Sequence, residues 1–385
     1  MKKISIYFSR FFVGLIFVFS GLIKANDPLG FGYKLQEYFE VFHITFLNDY
    51  ATAIAIFLCG LEIILGTALL LGIKARKVIW GLLGLIVFFT FLTFYSAYFK
   101  VVTSCGCFGD AIPLTPWQSF GKDLILLAFI LILFIYRKEI HPFIKNQKVQ
   151  LFTLFLISFL SFGIGIYTFS NLPFIDFLPY KVGANIPQLM KAPEGAPQDE
   201  YEITYSLKNK QSGAEQKMTD KAYLKQEIWK DSNWEIVGEP ESKLIKKGYE
   251  VKIKDLKITD AAGEDHTQSL LENPAFQLII VAYDLSHTDR KAFQNLNKNL
   301  ITEANAKGIA TVILTSSSVA DVEKLKAGLS LNTLFFYADA IPLKSMVRAN
   351  PGIILMKNGL VVNKWHYRNR PSYADLEEQY FKAKK

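Results

Sequence analysis

Five apolar stretches, each long enough to cross a bilayer, lie within the first 170 residues of this chain of 385. A membrane-spanning helix needs about 20 mainly apolar residues. The sequence predicts such helices over 7–23, 51–71, 78–99, 117–136 and 149–169. They explain why 51% of the residues are hydrophobic and only 20% charged, where soluble domains carry about a quarter charged. A purely soluble enzyme is excluded. So is a disordered chain, which would be poor in Phe, Leu and Ile. The first run follows Lys2 and Lys3, as a secretory leader would, but ends in Ile23-Lys24-Ala25-Asn26-Asp27-Pro28. No small-x-small cleavage site follows it, and it is read as a span.

Charge sets the expected direction. Residues 1–170 hold 14 Lys or Arg against 8 Asp or Glu, and residues 171–385 hold 29 against 27. The basic excess therefore sits in short loops: Lys2, Lys3 and Arg10; Lys74, Arg76 and Lys77; Arg137, Lys138, Lys145 and Lys148. The alternate loops carry Asp27, Glu37, Glu40, Asp49 and Asp110. Basic loops stay cytoplasmic. The expectation is an inner-membrane protein with its N-terminus inside, five crossings and its C-terminal half outside. Tyr98, Trp117, Tyr136 and Tyr167 fall near span ends, as an interfacial aromatic belt would place them. No basic face with interleaved aromatics points to nucleic acid.

Beyond residue 171 the pattern becomes α/β. The segment 189–198, with three prolines, reads as a linker. Strands are expected at 201–207, 249–253, 276–283, 309–314 and 333–337, and helices at 288–306 and 319–328. A hairpin is expected at 353–365 about Asn358-Gly359, then a last helix at 372–382. The run 276–283 is apolar but for Gln277, as in a strand buried on both faces. This order resembles the periplasmic TlpA-like branch of the thioredoxin fold. The resemblance is carried by Ile258–Gly263 with Leu270-Leu271, by Leu278–Tyr283, by Arg290-Lys291-Ala292-Phe293, and by Val347–Leu355 around Pro351, the segment that resembles the one bearing the fold's cis-proline. Where such a domain places Cys-x-x-Cys, this chain has Ser286-His287-Thr288-Asp289. Without a thiolate that position cannot attack a disulfide. Ser286 and Asp289 fit a helix N-cap and its N3 acid instead, and Ser286 and His287, adjacent at a helix start, are expected to point apart.

The sharpest local motif is Ser104-Cys105-Gly106-Cys107-Phe108-Gly109-Asp110, between the third and fourth spans. Gly106 and Gly109 permit tight turns that bring two sulfurs together. Three readings stand open: a redox pair, a structural staple or free thiols, and a metal site with His43 as an extra ligand. Glu62 lies near the middle of the second span, with Cys59 one turn before it on the same face. An intramembrane carboxyl is a functional candidate, as a proton relay or a quinone contact; otherwise it pairs with a polar group of another span or is a protonated or hydrogen-bonded packing residue. Cys59 reads as a small buried hydrophobe. Lys122 and Asp123 open the fourth span close in sequence to the cysteine loop; Lys122 reads as snorkelling toward headgroups, the alternative being that it lowers a nearby thiol pKa. Asp27-Pro28-Leu29-Gly30 reads as a turn leading into an amphipathic interfacial helix over 31–42, a lid or an anchor.

Phe19-Ser20-Gly21-Leu22-Ile23-Lys24, Asp27-Pro28-Leu29-Gly30 and Lys34-Leu35-Gln36-Glu37-Tyr38 resemble the start of DoxX-family membrane proteins. The Ser-Cys-Gly-Cys-Phe-Gly segment after Glu62 resembles MauE, the methylamine-utilisation protein of that group. The resemblance covers about residues 1–140. It implies thiol–disulfide chemistry during maturation of periplasmic enzymes, with Cys105 and Cys107 as the redox pair.

The expected fold class is an α-helical polytopic membrane domain of five spans joined to an α/β thioredoxin-like extracytoplasmic domain. The expected division is a transmembrane domain over 1–170, a linker and extension over 171–248, and a thioredoxin-like domain without redox cysteines over 249–385. Two functions compete. One is a thiol–disulfide oxidoreductase acting through Cys105 and Cys107, with Glu62 as relay, no resident cofactor or metal, and a quinone or a soluble thiol-redox protein as electron partner. The other is a membrane-anchored adaptor binding a periplasmic client.

Overall fold

The apolar runs become five helices long and apolar enough to span a membrane. In the computed structural model these are α1 (Lys2–Asn26), α3 (Ala51–Leu71), α4 (Ala75–Phe99), α5 (Pro116–Ile135) and α6 (Gln147–Ser170), with α2 (Pro28–Val41) between the first two. The structure describes residues 2–102, 106, 108–329, 331 and 333–382. Each span lies within a few residues of its expected range, and the chain is a multi-pass membrane protein. Helix α3 is central and packs on α1, α2, α4 and α6. It can lie close to α1 because Gly66 faces the backbone of Gly14: a Cβ on Gly66 would sit 2.9 Å from the Gly14 carbonyl oxygen. Helix α6 is peripheral and buries only Ser161, Gly165 and Thr168. Apolar side chains such as Phe11, Leu15, Phe88, Phe155 and Phe159 remain uncovered, which suits the bilayer as solvent.

The expected turn at Asp27–Gly30 is instead the first turn of α2. Asp27 is the N-cap, its side chain accepting the Gly30 N–H at 2.9 Å, and Pro28 begins the helix. Pro suits that position because the N–H it lacks would be unsatisfied there in any case. Helix α2 buries Phe31, Leu35, Tyr38 and Phe39. It is therefore a packed part of the bundle as well as an end cap.

Contacts divide the chain into two units: residues 1–184 with 256–385, and residues 185–255. The smaller unit begins with the short α7 (Ile186–Leu189) and carries an antiparallel sheet. There β1 (Glu200–Asn209) pairs with β2 (Glu215–Thr219) on one side. The short α8 (Asp220–Lys225) follows β2, and β3 (Trp234–Ile236) and β4 (Glu241–Lys246) pair with the other side of β1. Residues 249–253, expected as a strand, are irregular, and the strand forms at β4.

The larger unit contains the second sheet, of order β7-β6-β5-β8-β9. A short α9 (Thr267–Leu271) precedes the central β5 (Phe276–Val281). The chain continues through α10 (Arg290–Leu296) and α11 (Thr302–Ala306), joined by a wide turn, to β6 (Ala310–Thr315), α12 (Val319–Leu329) and β7 (Leu334–Tyr337). Then come α13 (Ala340–Met346), the hairpin β8 (Gly352–Lys357) and β9 (Leu360–His366), and α14 (Tyr373–Leu376). Strands β5, β6 and β7 are parallel, and β8 and β9 run antiparallel to their neighbours. This is a thioredoxin-like layout. The Asn350–Pro351 peptide is cis. Leu278, Ile280, Ile313, Ile353 and Leu355 from the sheet pack with Phe293 and Leu300 as one core. The expected strand-turn-strand before β5 is reduced to isolated bridges of Thr259 with Asp265 and with Tyr337, followed by α9.

Candidate functional site

Lys24, at the end of α1, forms an ion pair with Glu62 on α3, and both are almost wholly buried, 3% and 2% exposed. The pairing depends on close helix contact at Gly21, one turn before Lys24, where a Cβ would lie 2.7 Å from Ile63 and 3.0 Å from the Cys59 carbonyl oxygen. The Lys24 ammonium also lies 5.0 Å from the Phe31 ring and 4.8 Å from the Phe89 ring. Aromatic faces attract a cation and replace part of the hydration it has lost. Glu62 Oε1 takes the ammonium, while Oε2 is buried with no hydrogen-bond partner. Cys59 is buried beside them, as expected of a small apolar residue.

A second ion pair stands close by on α5. Lys122 Nζ lies 2.7 Å from Asp123 Oδ1, and Thr93 on α4 donates to Asp123 Oδ2 at 3.0 Å. Asp123 is fully buried. Lys122, expected to snorkel, turns instead to Asp123 and lies 5.2 Å from the ring of Phe108, the residue after Cys107. Phe108 also packs on Phe19 of α1, ring centroids 5.6 Å apart. Lys24, Glu62, Lys122 and Asp123 line one cavity of about 30 Å³ with Ser20 and Phe31. Four ionisable side chains from three spans therefore meet beneath the cysteine loop.

Cys105 and Cys107 themselves lie outside the described residues. Of this segment the described residues include Gly106 and Phe108–Asp110. Gly106, Gly109 and Asp110 line a cavity of about 480 Å³ that is also walled by α2 and by Lys344, Ser345 and Arg348 of the thioredoxin-like domain. Arg348, three residues before the cis-proline, bridges the two parts: Nε donates to Asp27 Oδ2 at 2.7 Å and Nη2 to Asp110 Oδ2 at 3.2 Å. Burial disfavours the Arg348 charge, but Asp27, Tyr33 and Asp110 outweigh it, so its pKa is raised. Burial pushes the Asp110 carboxyl up from its ordinary range, against the pull of Arg348. Tyr33 on α2 and Tyr283 after β5 share a hydrogen bond of 2.8 Å. Lys364 of β9 pairs with Asp176 of the segment leaving α6, and burial lowers the Lys364 pKa against the pull of Asp176.

At the position lacking Cys-x-x-Cys, the N-cap of α10 is Asp289, which accepts the Ala292 N–H at 3.0 Å, and not Ser286. Ser286 and His287 do meet, with Oγ 3.0 Å from Nδ1, because Asp284 gathers both: Ser286 Oγ donates to it at 2.6 Å and His287 Nδ1 lies 2.8 Å away. A nucleophile–base–acid triad needs serine and acid on opposite ring nitrogens. Here both contact Nδ1, so the knot closes the turn and does not activate Ser286. His43 lies in the turn after α2.

Sequence reasoning found Glu62 and the cysteine loop but not Lys24, Asp123 or Arg348 as their partners. Lys24 carried a signal, since it lies one helical turn beyond Gly21 on the same face. Arg348 carried none, being 321 residues from Asp27 in sequence.

The bundle and the sheet domain together define a class: a five-helix membrane protein bearing a thioredoxin-like domain. Residues 2–136 match the family described as methylamine utilisation protein MauE. That match takes in α1–α5 and the cysteine loop. A curated relative, Protein TlpB of Flavobacterium psychrophilum, is 29% identical over 133 residues, which are 33% of this chain and 36% of that protein. The chain thus spans about a third of the length of the curated relative it matches. No solved structure matches the chain.

Proposed function

We propose that this protein resides in an inner membrane and exchanges thiols and disulfides through Cys105 and Cys107 during maturation of periplasmic proteins. In this reading the N-terminus is cytoplasmic and the thioredoxin-like domain is periplasmic. The basic residues Lys2, Lys74, Arg76 and Lys77 lie at one end of the bundle and Asp27 and Asp110 at the other, which supports that direction. The observation that carries the reading is the setting of the loop. One side meets the thioredoxin-like domain through Asp110 and Arg348, and the other rests by Phe108 on Lys122, which pairs with the buried Asp123.

In the exchange step, a client thiolate attacks the loop disulfide and displaces one loop sulfur as thiolate. A second client thiolate then resolves the mixed disulfide, leaving the client oxidised and the loop reduced. Regeneration removes two electrons and two protons from the loop dithiol. The acceptor is a quinone, reduced to quinol, or the disulfide of a soluble thiol-redox protein, reduced to its dithiol. Glu62 acts in proton transfer, because a cavity of about 30 Å³ fits a water and not a quinone ring. The thioredoxin-like domain binds the client or redox partner and takes no electrons. Trapping tests the proposal: Cys107→Ser is expected to leave Cys105 in a mixed disulfide with a periplasmic protein, and no such adduct in either single variant would refute it. The Ser286-His287 turn, hydrogen-bonded and without a thiol, favours one alternative: the whole protein is a non-catalytic membrane-anchored adaptor that binds a periplasmic partner through this domain.

A further inference from the structure

The small cavity beneath the loop has the properties of a water site. Its volume of about 30 Å³ exceeds the ~10–15 Å³ of probe-occupied space that a water needs. Its wall presents Glu62 and Asp123 from different helices, and both are buried. Glu62 Oε2 has no hydrogen-bond partner in the protein, and Asp123 Oδ1 has the Lys122 ammonium at 2.7 Å on one side only. Leaving a buried carboxylate oxygen without a donor is costly. A water offers two donors, one for each oxygen. The site is also deep: Asp123 lies seven residues into α5 and Glu62 eleven into α3, about 10 and 16 Å along helices rising about 1.5 Å per residue.

From these observations we infer that Glu62 and Asp123 share one bound water and form a coupled proton site. Resting on the thiol-exchange reading, the site takes up the proton from an attacking loop thiol and returns it to the leaving sulfur. The proton passes from sulfur through water to a carboxylate and back, with no net change in charge or electrons. Lys24 and Lys122 supply one counter-charge to each carboxylate, so the pair can hold an extra proton or release it without leaving either acid unpaired.

The test uses the full-length protein in lipid nanodiscs. Infrared spectra in H₂O and D₂O, with the Glu62 carboxylate band assigned by Glu62→Gln, are compared with and without Asp123→Asn. A shared water couples the two groups, so Asp123→Asn is expected to move the Glu62 band and its deuterium shift. Thr93→Val, which leaves both acids in place, is expected to move it less. An unmoved band in both variants overturns the inference. A second arm follows reaction of the reduced loop with oxidised glutathione across the pH range of thiol ionisation. Asp123→Asn is expected to slow it about a hundredfold, the lower end of general acid–base effects, and to shift its pH profile with the loop potential unchanged. A moved band with wild-type exchange kinetics overturns the site's part in thiol exchange, whereas a wild-type loop that does not react with oxidised glutathione counts against the thiol-exchange reading itself.

Discussion

Replacing Glu62 by Leu leaves the Lys24 ammonium without its counterion at a position 3% exposed. Removing one member of a buried ion pair costs about 3–5 kcal/mol, because the remaining charge stays desolvated. The Phe31 and Phe89 rings, 5.0 and 4.8 Å from the ammonium, return about 1 kcal/mol. The expected loss is therefore about 3 kcal/mol, roughly a hundredfold in the folded-to-unfolded ratio. Lys24→Met alone is expected to cost a similar amount by stranding Glu62. The double replacement Lys24→Met with Glu62→Leu is expected to recover most of it, since an apolar pair of similar volume strands no charge. Unfolding of the purified protein in mixed micelles, followed by tryptophan fluorescence, closes this double-mutant cycle. Single changes costing under about 0.5 kcal/mol and adding without coupling would contradict a buried pair.

Three further outcomes follow from other contacts. Arg348→Ala removes the cation that Asp27 and Asp110 share and is expected to speed maleimide labelling of the loop cysteines. Arg348→Lys restores this only in part, because one ammonium cannot replace a guanidinium that also donates to the Lys344 carbonyl; equal labelling in all three proteins would refute the clamp. Gly66→Ala brings a Cβ to 2.9 Å from the Gly14 carbonyl oxygen and is expected to cost about 1–3 kcal/mol in the same unfolding assay by forcing α1 from α3. Burial, helped by the Arg368 charge, lowers the His366 pKa to about 4, and its Nδ1 accepts the Arg368 N–H. A depressed folded pKa gives stability that is present above the unfolded value near 6.5 and lost as pH falls toward 4. Melting temperature is therefore expected to drop over that interval, and less so in His366→Gln; equal slopes in the two proteins would refute the assignment.

The spans were legible because uninterrupted apolar runs admit few alternatives at this length. Strand β5 was legible for the same reason, its residues 278–281 lying within one buried apolar run. Strand β4 was not, since every residue of it is exposed and no periodicity marks it. Asp27-Pro28-Leu29-Gly30 reads equally as a turn or as an N-cap with its first helical turn, and packing of α2 on α3 decides between them. In the site, Glu62 stood out because a carboxylate inside a span is rare. Its partner did not, because a lysine near a span end suits the interface equally well. Asp284 was missed as the group that joins Ser286 to His287, since adjacent residues carry no spacing signal. The contacts of Arg348 and Asp123 are long-range, and one sequence does not encode them locally.

The direct measurement is the redox state of Cys105 and Cys107 in native membranes, read by differential thiol alkylation across a series of reducing potentials. The account predicts a pair that titrates reversibly near the poise of its compartment. A pair that stays oxidised far below that poise, or never oxidises, would contradict it and leave a membrane-anchored adaptor.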